Sequence, residues 1–87
     1  MIHPLDKNFT IHQWLVMENK ALQKIRLIRF EKNYSQEYLA SRLNISQSYY
    51  GRIENGKKQI TLKCLLQILE VLETDVVLFF SQIKDVS

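Results

Sequence analysis

The sequence predicts an all-α protein, a compact bundle of about five helices with a helical extension at its N-terminal end. Three observations favour this fold class. The 87 residues include only one proline and two glycines, which leaves few positions for sharp turns. Apolar residues recur at three- and four-residue spacing rather than in alternation. Each apolar run also follows a Ser, Thr or Asp that can cap a helix N-terminus.

Composition sets the broad class of protein. The chain is 46% apolar and 24% charged, which is ordinary for one globular domain with a buried core. Its one cysteine, Cys64, cannot form an internal disulfide and is expected to be a small buried hydrophobe. The sequence shows no signal peptide and no apolar run near the ~20 residues that span a bilayer. A soluble cytoplasmic protein without membrane contact is therefore the default expectation.

The first helix is predicted to follow an irregular arm at residues 1–9, which contains the only proline. Thr10 is the expected N-cap. The apolar positions at helical spacing after it are Ile11, Trp14, Leu15, Leu22 and Ile25. Trp14 is expected to anchor packing, either in the core or in a dimer. The helix either runs unbroken to Lys32 or breaks near Asn19.

This pattern divides the chain into an arm and helical extension at residues 1–19 and a main domain at residues 20–87. In the helical stretch that ends at Lys32, Ile25 and Ile28 are expected to face inward. The basic residues expected to face outward are Arg26, Arg29 and Lys32. Asn33 suits the left-handed conformation that often ends a helix.

Two short helices joined by a tight turn are predicted next. Ser35 and Ser46 are the expected N-caps, and Asn44 stands where the turn needs a positive φ. Asn55 and Gly56 form a strong stop signal. The side chains expected to face inward are Leu39, Ala40, Leu43, Tyr50 and Ile53. Those left on the outer side of the second short helix are Gln47, Ser48, Tyr49, Gly51 and Arg52.

A fourth helix and a last apolar segment complete the prediction. Thr61 is the expected cap of a helix with one buried stripe. The members of that stripe are Leu62, Leu65, Leu66, Leu69 and Leu72. Asp75 can cap the segment 76–84, whose composition fits a helix and also a strand, and the helix is favoured. The apolar run 77–80 is too wide for one face of a small monomer, which indicates a partner surface.

The charge is unevenly distributed along the chain. The net charge is +3, but residues 20–63 carry ten basic and three acidic side chains, a net +7. The stretches before and after it are net negative. A local basic surface attracts the phosphate backbone of nucleic acid, although a solvated face without a partner also fits charge alone.

Several short motifs occur together within residues 25–80. They are Tyr34-Ser35-Gln36-Glu37 with Leu39-Ala40, Leu43-Asn44-Ile45-Ser46-Gln47-Ser48, and Arg52-Ile53-Glu54-Asn55-Gly56-Lys57. On these residues the segment resembles the Cro/CI-type helix-turn-helix family, also called Xre-like or lambda-repressor-like. The resemblance implies a lambda-repressor-like DNA-binding domain whose third helix is the recognition helix. The sequence departs from the family pattern at two positions: Asn44 replaces the usual Gly, and Tyr50 replaces the usual Ile or Val. The second replacement is expected to bring the tyrosine hydroxyl towards the surface.

The resemblance and the geometry of a helix in the major groove together indicate the contact residues. Those expected to contact bases are Gln47, Ser48, Tyr49 and Arg52. Those expected to contact phosphates are Gln36, Ser46, Lys57 and Lys58. Glu54 is acidic within a basic surface, so it is expected to pair with Arg26, Arg29 or Arg42 instead of touching DNA.

No catalytic or metal site is expected. His3 and His12 lack partners at metal-ligand spacing, and the sequence offers no nucleophile–base pair and no phosphate-binding glycine loop. No cofactor is predicted either. An enzyme is therefore the least favoured class.

The predicted function is a sequence-specific, repressor-like transcriptional regulator that binds a pseudo-palindromic operator in double-stranded DNA as a homodimer. The residues expected at the dimer interface are Val76, Phe79, Phe80 and Ile83, with Trp14 as a further candidate. Alternatives are an antitoxin with a toxin partner, a controller of restriction-modification genes, and an interaction module that does not read DNA. A strand at 76–80 pairing across the dimer favours the antitoxin.

Overall fold

Residues 7–84 are described by the computed structural model, and their backbone forms five α-helices and no strand. The helices are α1 (Lys7–Glu31), α2 (Gln36–Leu43), α3 (Gln47–Glu54), α4 (Leu62–Val71) and α5 (Val76–Lys84). The all-α prediction is confirmed. The description does not include residues 1–6 and 85–87, or the side chains of residues 7–12 and 84. Three predictions therefore lie outside the described residues: those for His3, for the side chains of Ile11 and His12, and for the first six residues of the arm.

Helix α1 runs for 25 residues without a break at Asn19. The expected cap at Thr10 is wrong, and so is the expected irregular backbone at residues 7–9, because the helix already begins at Lys7. The three residues from Lys7 to Phe9 include no proline or glycine, so nothing in them prevents a helix. The expected boundary between residues 19 and 20 thus falls within one continuous helix.

The other four helices begin at the predicted caps. The side chains of Ser35, Ser46 and Thr61 accept hydrogen bonds from the backbone N–H three residues on, at 2.9, 3.0 and 3.1 Å. Asp75 accepts one from the Leu78 N–H at 2.8 Å. Each bond satisfies an N–H that the helix itself leaves unpaired.

Left-handed residues end the helices where Asn and Gly predict them. Asn33, Asn44 and Gly56 have φ of 59°, 61° and 76° and follow α1, α2 and α3. Glu73 after α4 also has a positive φ, 54°, which the sequence did not predict. Its carboxylate lies 3.8 Å from the Lys32 ammonium.

The core lies between the helices: α1 packs on α3 and α5, and α2 packs on α3 and α4. The buried side chains include Leu22, Ile25, Ile28, Leu39, Ala40, Tyr50, Ile53, Leu65, Ile68, Leu69, Val71, Leu72, Phe79 and Ile83. Segment 76–84 is a helix that packs on α1, so the strand alternative is excluded. Leu62 and Leu66 were expected in the buried stripe of α4 but are exposed, because the bundle covers only one side of that helix. Cys64 is half-buried, and burial raises the pKa of its thiol.

None of the described helices is both long and apolar enough to cross a membrane.

Candidate nucleic-acid interface

Helices α2 and α3 form a unit with a fixed turn. The turn is made by Asn44 in the left-handed conformation, and the Ile45 N–H donates to the Ala40 carbonyl at 3.0 Å. Ser46 then caps α3. The inner side of α3 is buried through Tyr50 and Ile53, so its opposite side faces solvent.

The four predicted base-contact residues lie on this exposed side. Gln47, Ser48, Tyr49 and Arg52 are all exposed. Lys57 and Lys58 follow α3 after Asn55 and Gly56 and are exposed as well. The Lys58 ammonium lies 5.2 Å from the centre of the Tyr49 ring, so the two form a cation–π contact. Lys58 therefore lies beside Tyr49, one of the four predicted base-contact residues.

Gly51 was predicted on the outer side of α3, and this is wrong. It is buried because Gln36 from α2 lies over it. A Cβ at position 51 would lie 3.1 Å from Gln36 Oε1 and 3.6 Å from Gln47 Nε2. Glycine thus permits the close approach of α2 to α3, since a larger residue would push Gln36 away.

A chain of side-chain hydrogen bonds leads from the core to the exposed end of α3. Gln47 Nε2 donates to Gln36 Oε1 at 2.8 Å, and Gln36 Nε2 donates to Glu54 Oε1 at 3.2 Å. Gln36 was expected to contact phosphate. It is half-buried, and its amide already links two other side chains.

Glu54 is paired with Arg29, which is one of its three expected partners. Arg29 Nη2 and Nε donate to the two carboxylate oxygens at 2.8 and 2.9 Å. Arg26 donates instead to the Glu54 backbone carbonyl at 2.7 Å, and Arg42 to the Tyr38 hydroxyl at 2.7 Å. The prediction that Arg29 faces outward is wrong: its side chain is buried, because the buried carboxylate requires a charged partner.

Tyr50 also differs from the sequence prediction. Its hydroxyl does not approach the surface but donates to Glu54 Oε2 at 2.6 Å inside the core. Burial and the neighbouring carboxylate raise the pKa of the Tyr50 hydroxyl above its ordinary value. The Tyr50–Glu54 spacing of one helical turn was a signal in the sequence for this contact.

The charge state of Glu54 follows from these contacts. Burial alone raises the pKa of the Glu54 carboxyl, but the hydrogen bonds from Arg29, Tyr50 and Gln36 outweigh burial, so the pKa lies below its ordinary value. The hydrogen bond to Glu54 likewise raises the pKa of Arg29. Both groups are charged near neutral pH.

Some of the residues predicted for a dimer interface are buried within the single chain, and others are exposed. Phe79 and Ile83 are buried in the core of the single chain, so they are not available to a second copy. Their burial follows from the packing of α5 on α1. Val76 and Phe80 are each 38% exposed, and Trp14 is 56% exposed. Trp14 and Phe80 line one apolar groove of about 200 Å³ with Met17, Ala21, Ile60 and Leu65.

No group of three His, Cys, Asp or Glu side chains among the described residues lies close enough to hold a metal ion.

The sequence matches the family model described as helix-turn-helix over residues 22–79, which includes α2, α3 and α4. The chain belongs to the Xre/Cro–CI-like helix-turn-helix family. Members of this family are DNA-binding transcriptional regulators. The first four turns of α1 precede the matched segment.

Named relatives support this membership. The chain is 41% identical over 59 residues, 68% of its length, to the HTH-type transcriptional regulator RamB from two strains of Mycobacterium tuberculosis. The match spans only 12% of RamB. The chain is also 36% identical over 62 residues, 70% of its length, to control protein C.MunI from a Mycoplasma species, and this match spans 84% of that protein. No solved structure matches at a comparable level of significance.

Proposed function

We propose that this protein is a sequence-specific, repressor-like regulator that binds a pseudo-palindromic operator as a homodimer, at the nucleoid in the cytoplasm. The observation that carries the proposal is the exposed side of α3. It presents Gln47 and Arg52 to solvent, and the exposed Lys57 and Lys58 follow in the loop after α3.

The chemistry of these side chains suits the major groove. Gln pairs bidentately with adenine and Arg with guanine, each for about 1–3 kcal/mol of discrimination. Ser48 and Tyr49 contact neighbouring base edges or thymine methyl groups. Lys57 and Lys58 bind phosphates and so position the helix without specifying sequence. Two further phosphate contacts are proposed from the Ser46 cap and from the amide proton of Gln36 that is not used within the protein.

The homodimer follows from the short length of the reading helix. Helix α3 has eight residues, so one copy contacts only a few base pairs. Two copies about a twofold axis read two half-sites. The exposed apolar side chains that a second copy could cover are Trp14, Val76, Val77 and Phe80. A stable interface buries about 800 Å² on each partner, which is more than these four supply, so neighbours such as the exposed Leu15, Val16 and Leu78 must also contribute.

The regulator proposal is tested by selection of bound sequences from a random DNA pool. We expect the wild-type chain to enrich one motif with twofold symmetry. Gln47→Ala and Arg52→Ala should each remove the preference at a different base pair of that motif. Gln67→Ala, an exposed glutamine on α4, is the matched control and should leave the motif unchanged. Enrichment of no motif by the wild-type chain contradicts the proposal.

Salt dependence separates this function from an interaction module that does not read DNA. Each phosphate contact releases counterions, so log affinity for the motif should fall steeply and linearly with log salt. Lys58→Ala should reduce that slope by about one unit. Binding to a protein target that is indifferent to both salt and Arg52→Ala supports the interaction module instead.

Self-association is tested separately. Sedimentation of the wild-type chain should show a mass that doubles with concentration. Val77→Glu, at a position 78% exposed, should abolish the dimer without disturbing the fold. Ser81→Glu, another exposed position on α5, tests whether added charge alone has this effect.

A controller of restriction-modification genes is the second candidate. It is favoured by the similarity to control protein C.MunI over most of that protein's length. The antitoxin alternative, with a toxin partner, loses the strand at 76–80 that would have favoured it. Location of the selected motif beside nuclease and methyltransferase genes supports the controller.

A further inference from the structure

We propose that Glu54 is a positioning residue for base reading: its carboxylate fixes the direction of the Gln36 and Gln47 amides, so that Gln47 offers one acceptor and one donor to the base. This inference rests on the proposed function, because it concerns what Gln47 presents to DNA. It gives Glu54 a role beyond its ion pair with Arg29.

The Glu54 carboxylate accepts four hydrogen bonds in the core. Its Oε1 accepts from Arg29 Nη2 at 2.8 Å and from Gln36 Nε2 at 3.2 Å. Its Oε2 accepts from Arg29 Nε at 2.9 Å and from the Tyr50 hydroxyl at 2.6 Å. Four acceptor sites are the full capacity of a carboxylate, so its position and rotamer are fixed from three helices.

An ionised carboxylate only accepts hydrogen bonds. Gln36 must therefore turn its Nε2 towards Glu54, and its Oε1 is left to point the other way. That oxygen can only accept, so Gln47 must turn its own Nε2 towards Gln36, as the 2.8 Å contact shows. The negative charge on Glu54 thus determines the orientation of an amide two side chains away.

The close approach of the helices holds the relay in place. Gln36 lies over Gly51, and its Oε1 is 3.1 Å from where a Cβ would stand. Gln36 is half-buried, whereas Gln47 is exposed at the end of α3. The relay therefore connects a fixed charge in the core to a side chain that is free to meet a base.

One amide proton of Gln47 is used within the protein, and this changes which base it suits. The side chain has its Oε1 and one remaining N–H to offer. Adenine presents one donor and one acceptor in the major groove, which this pair satisfies. Guanine presents two acceptors, N7 and O6, and Gln47 can donate to both only with both amide protons. The relay thus favours adenine over guanine.

The test uses the full chain and the motif selected by the wild-type protein. Affinities are measured for two duplexes that differ only at the base pair whose preference is lost in Gln47→Ala, one with adenine and one with guanine. The readout is the ratio of the two affinities. A smaller folded fraction lowers both affinities equally, so a purely structural role does not move this ratio.

The wild-type chain should prefer adenine by about 5- to 150-fold. Gln36→Met breaks the relay without touching the ion pair, and Glu54→Gln replaces the acceptor-only carboxylate by an amide. Both should lower the ratio by about threefold or more. Gln67→Met, a matched change on α4, and Phe79→Leu, a destabilising change in the core, should leave it unchanged.

The possible outcomes separate the inference from the proposed function. A ratio in Gln36→Met and Glu54→Gln equal to that of the wild-type chain overturns the inference and leaves the regulator in place. If Gln47→Ala changes no base preference within the selected motif, the inference is likewise overturned and the regulator remains in place. If Glu54→Gln does not fold, an unchanged ratio in Gln36→Met still overturns the inference, because Glu54 reaches Gln47 only through Gln36. Enrichment of no motif removes the proposed function and the inference together.

Discussion

The two ends of α1 belong to surfaces of opposite character. Near its C-terminal end, Arg26 and Arg29 donate to α3 and join a hydrogen-bonded network with Glu54. Near its N-terminal end, Trp14, Leu15 and Val16 are exposed. Among the described residues, no buried side-chain nitrogen or oxygen lacks a hydrogen-bond partner.

The difference shows how each kind of contact specifies structure. Hydrogen bonds are directional, so the network at α3 has one arrangement and fixes the reading helix within the single chain. Apolar contacts are not directional, so a second copy can cover the exposed side chains at the other end without having to meet them in one fixed arrangement. We expect substitutions at the two surfaces to affect different properties.

The largest expected effect is loss of the buried ion pair. Arg29→Met leaves the Glu54 charge in the core without its main partner and should lower the free energy of unfolding by about 3–5 kcal/mol. Lys32→Met removes the exposed pair with Glu73 and should cost at most about 1 kcal/mol. Urea denaturation of both variants measures this, and equal losses contradict the distinction.

A loss of similar size is expected in the core beneath α5. Phe79→Ala should lower the free energy of unfolding by about 3–5 kcal/mol, because the ring is fully buried. Phe80→Ala should cost less than half as much in dilute protein, where the ring is partly exposed. Thermal unfolding across protein concentrations measures both. The difference between the variants should shrink at high concentration if a second copy covers Phe80.

A smaller effect is expected from a single hydroxyl. Tyr50→Phe leaves one acceptor site of the buried carboxylate unfilled and should cost about 1–3 kcal/mol. Tyr49→Phe removes an exposed hydroxyl on the same helix and should stay within about 0.5 kcal/mol. Urea denaturation compares the two. If Tyr50→Phe has the same free energy of unfolding as the wild-type chain, the hydroxyl contributes no stability.

The smallest effects are expected from pH. The pKa of Glu54 is lowered on folding, so its contribution to stability is present above its ordinary value of 4.5 and is lost as pH falls through the lower folded value. The pKa of Tyr50 is raised, so its contribution is lost as pH rises above the ordinary value of 10.0. Tyr50→Phe should therefore lose less stability than the wild-type chain between about pH 9 and pH 11. If the wild-type chain and Tyr50→Phe lose equal stability in this pH range, the alkaline loss does not come from Tyr50.

Local features of the chain were predictable and long-range ones were not. The caps at Ser35, Ser46, Thr61 and Asp75 depend on residues three apart, so the sequence contains them directly. The spacing of polar side chains on α3 likewise predicted which ones face solvent. The burial of Arg29 depends on a carboxylate 25 residues away, and nothing in the neighbourhood of Arg29 indicates it.

The five-helix fold, the helix-turn-helix unit and the exposed position of four side chains on α3 could be predicted from the sequence; these side chains are Gln47, Ser48, Tyr49 and Arg52. These follow from periodicity and capping, which act within a few residues. Packing between helices decided which apolar side chains of α5 are buried, that the Tyr50 hydroxyl donates to Glu54 inside the core, and that Glu54 is joined to Gln47 through Gln36. Except for the bond between Tyr50 and Glu54, those contacts connect separate helices, and their partners are fixed by packing rather than by spacing along the chain.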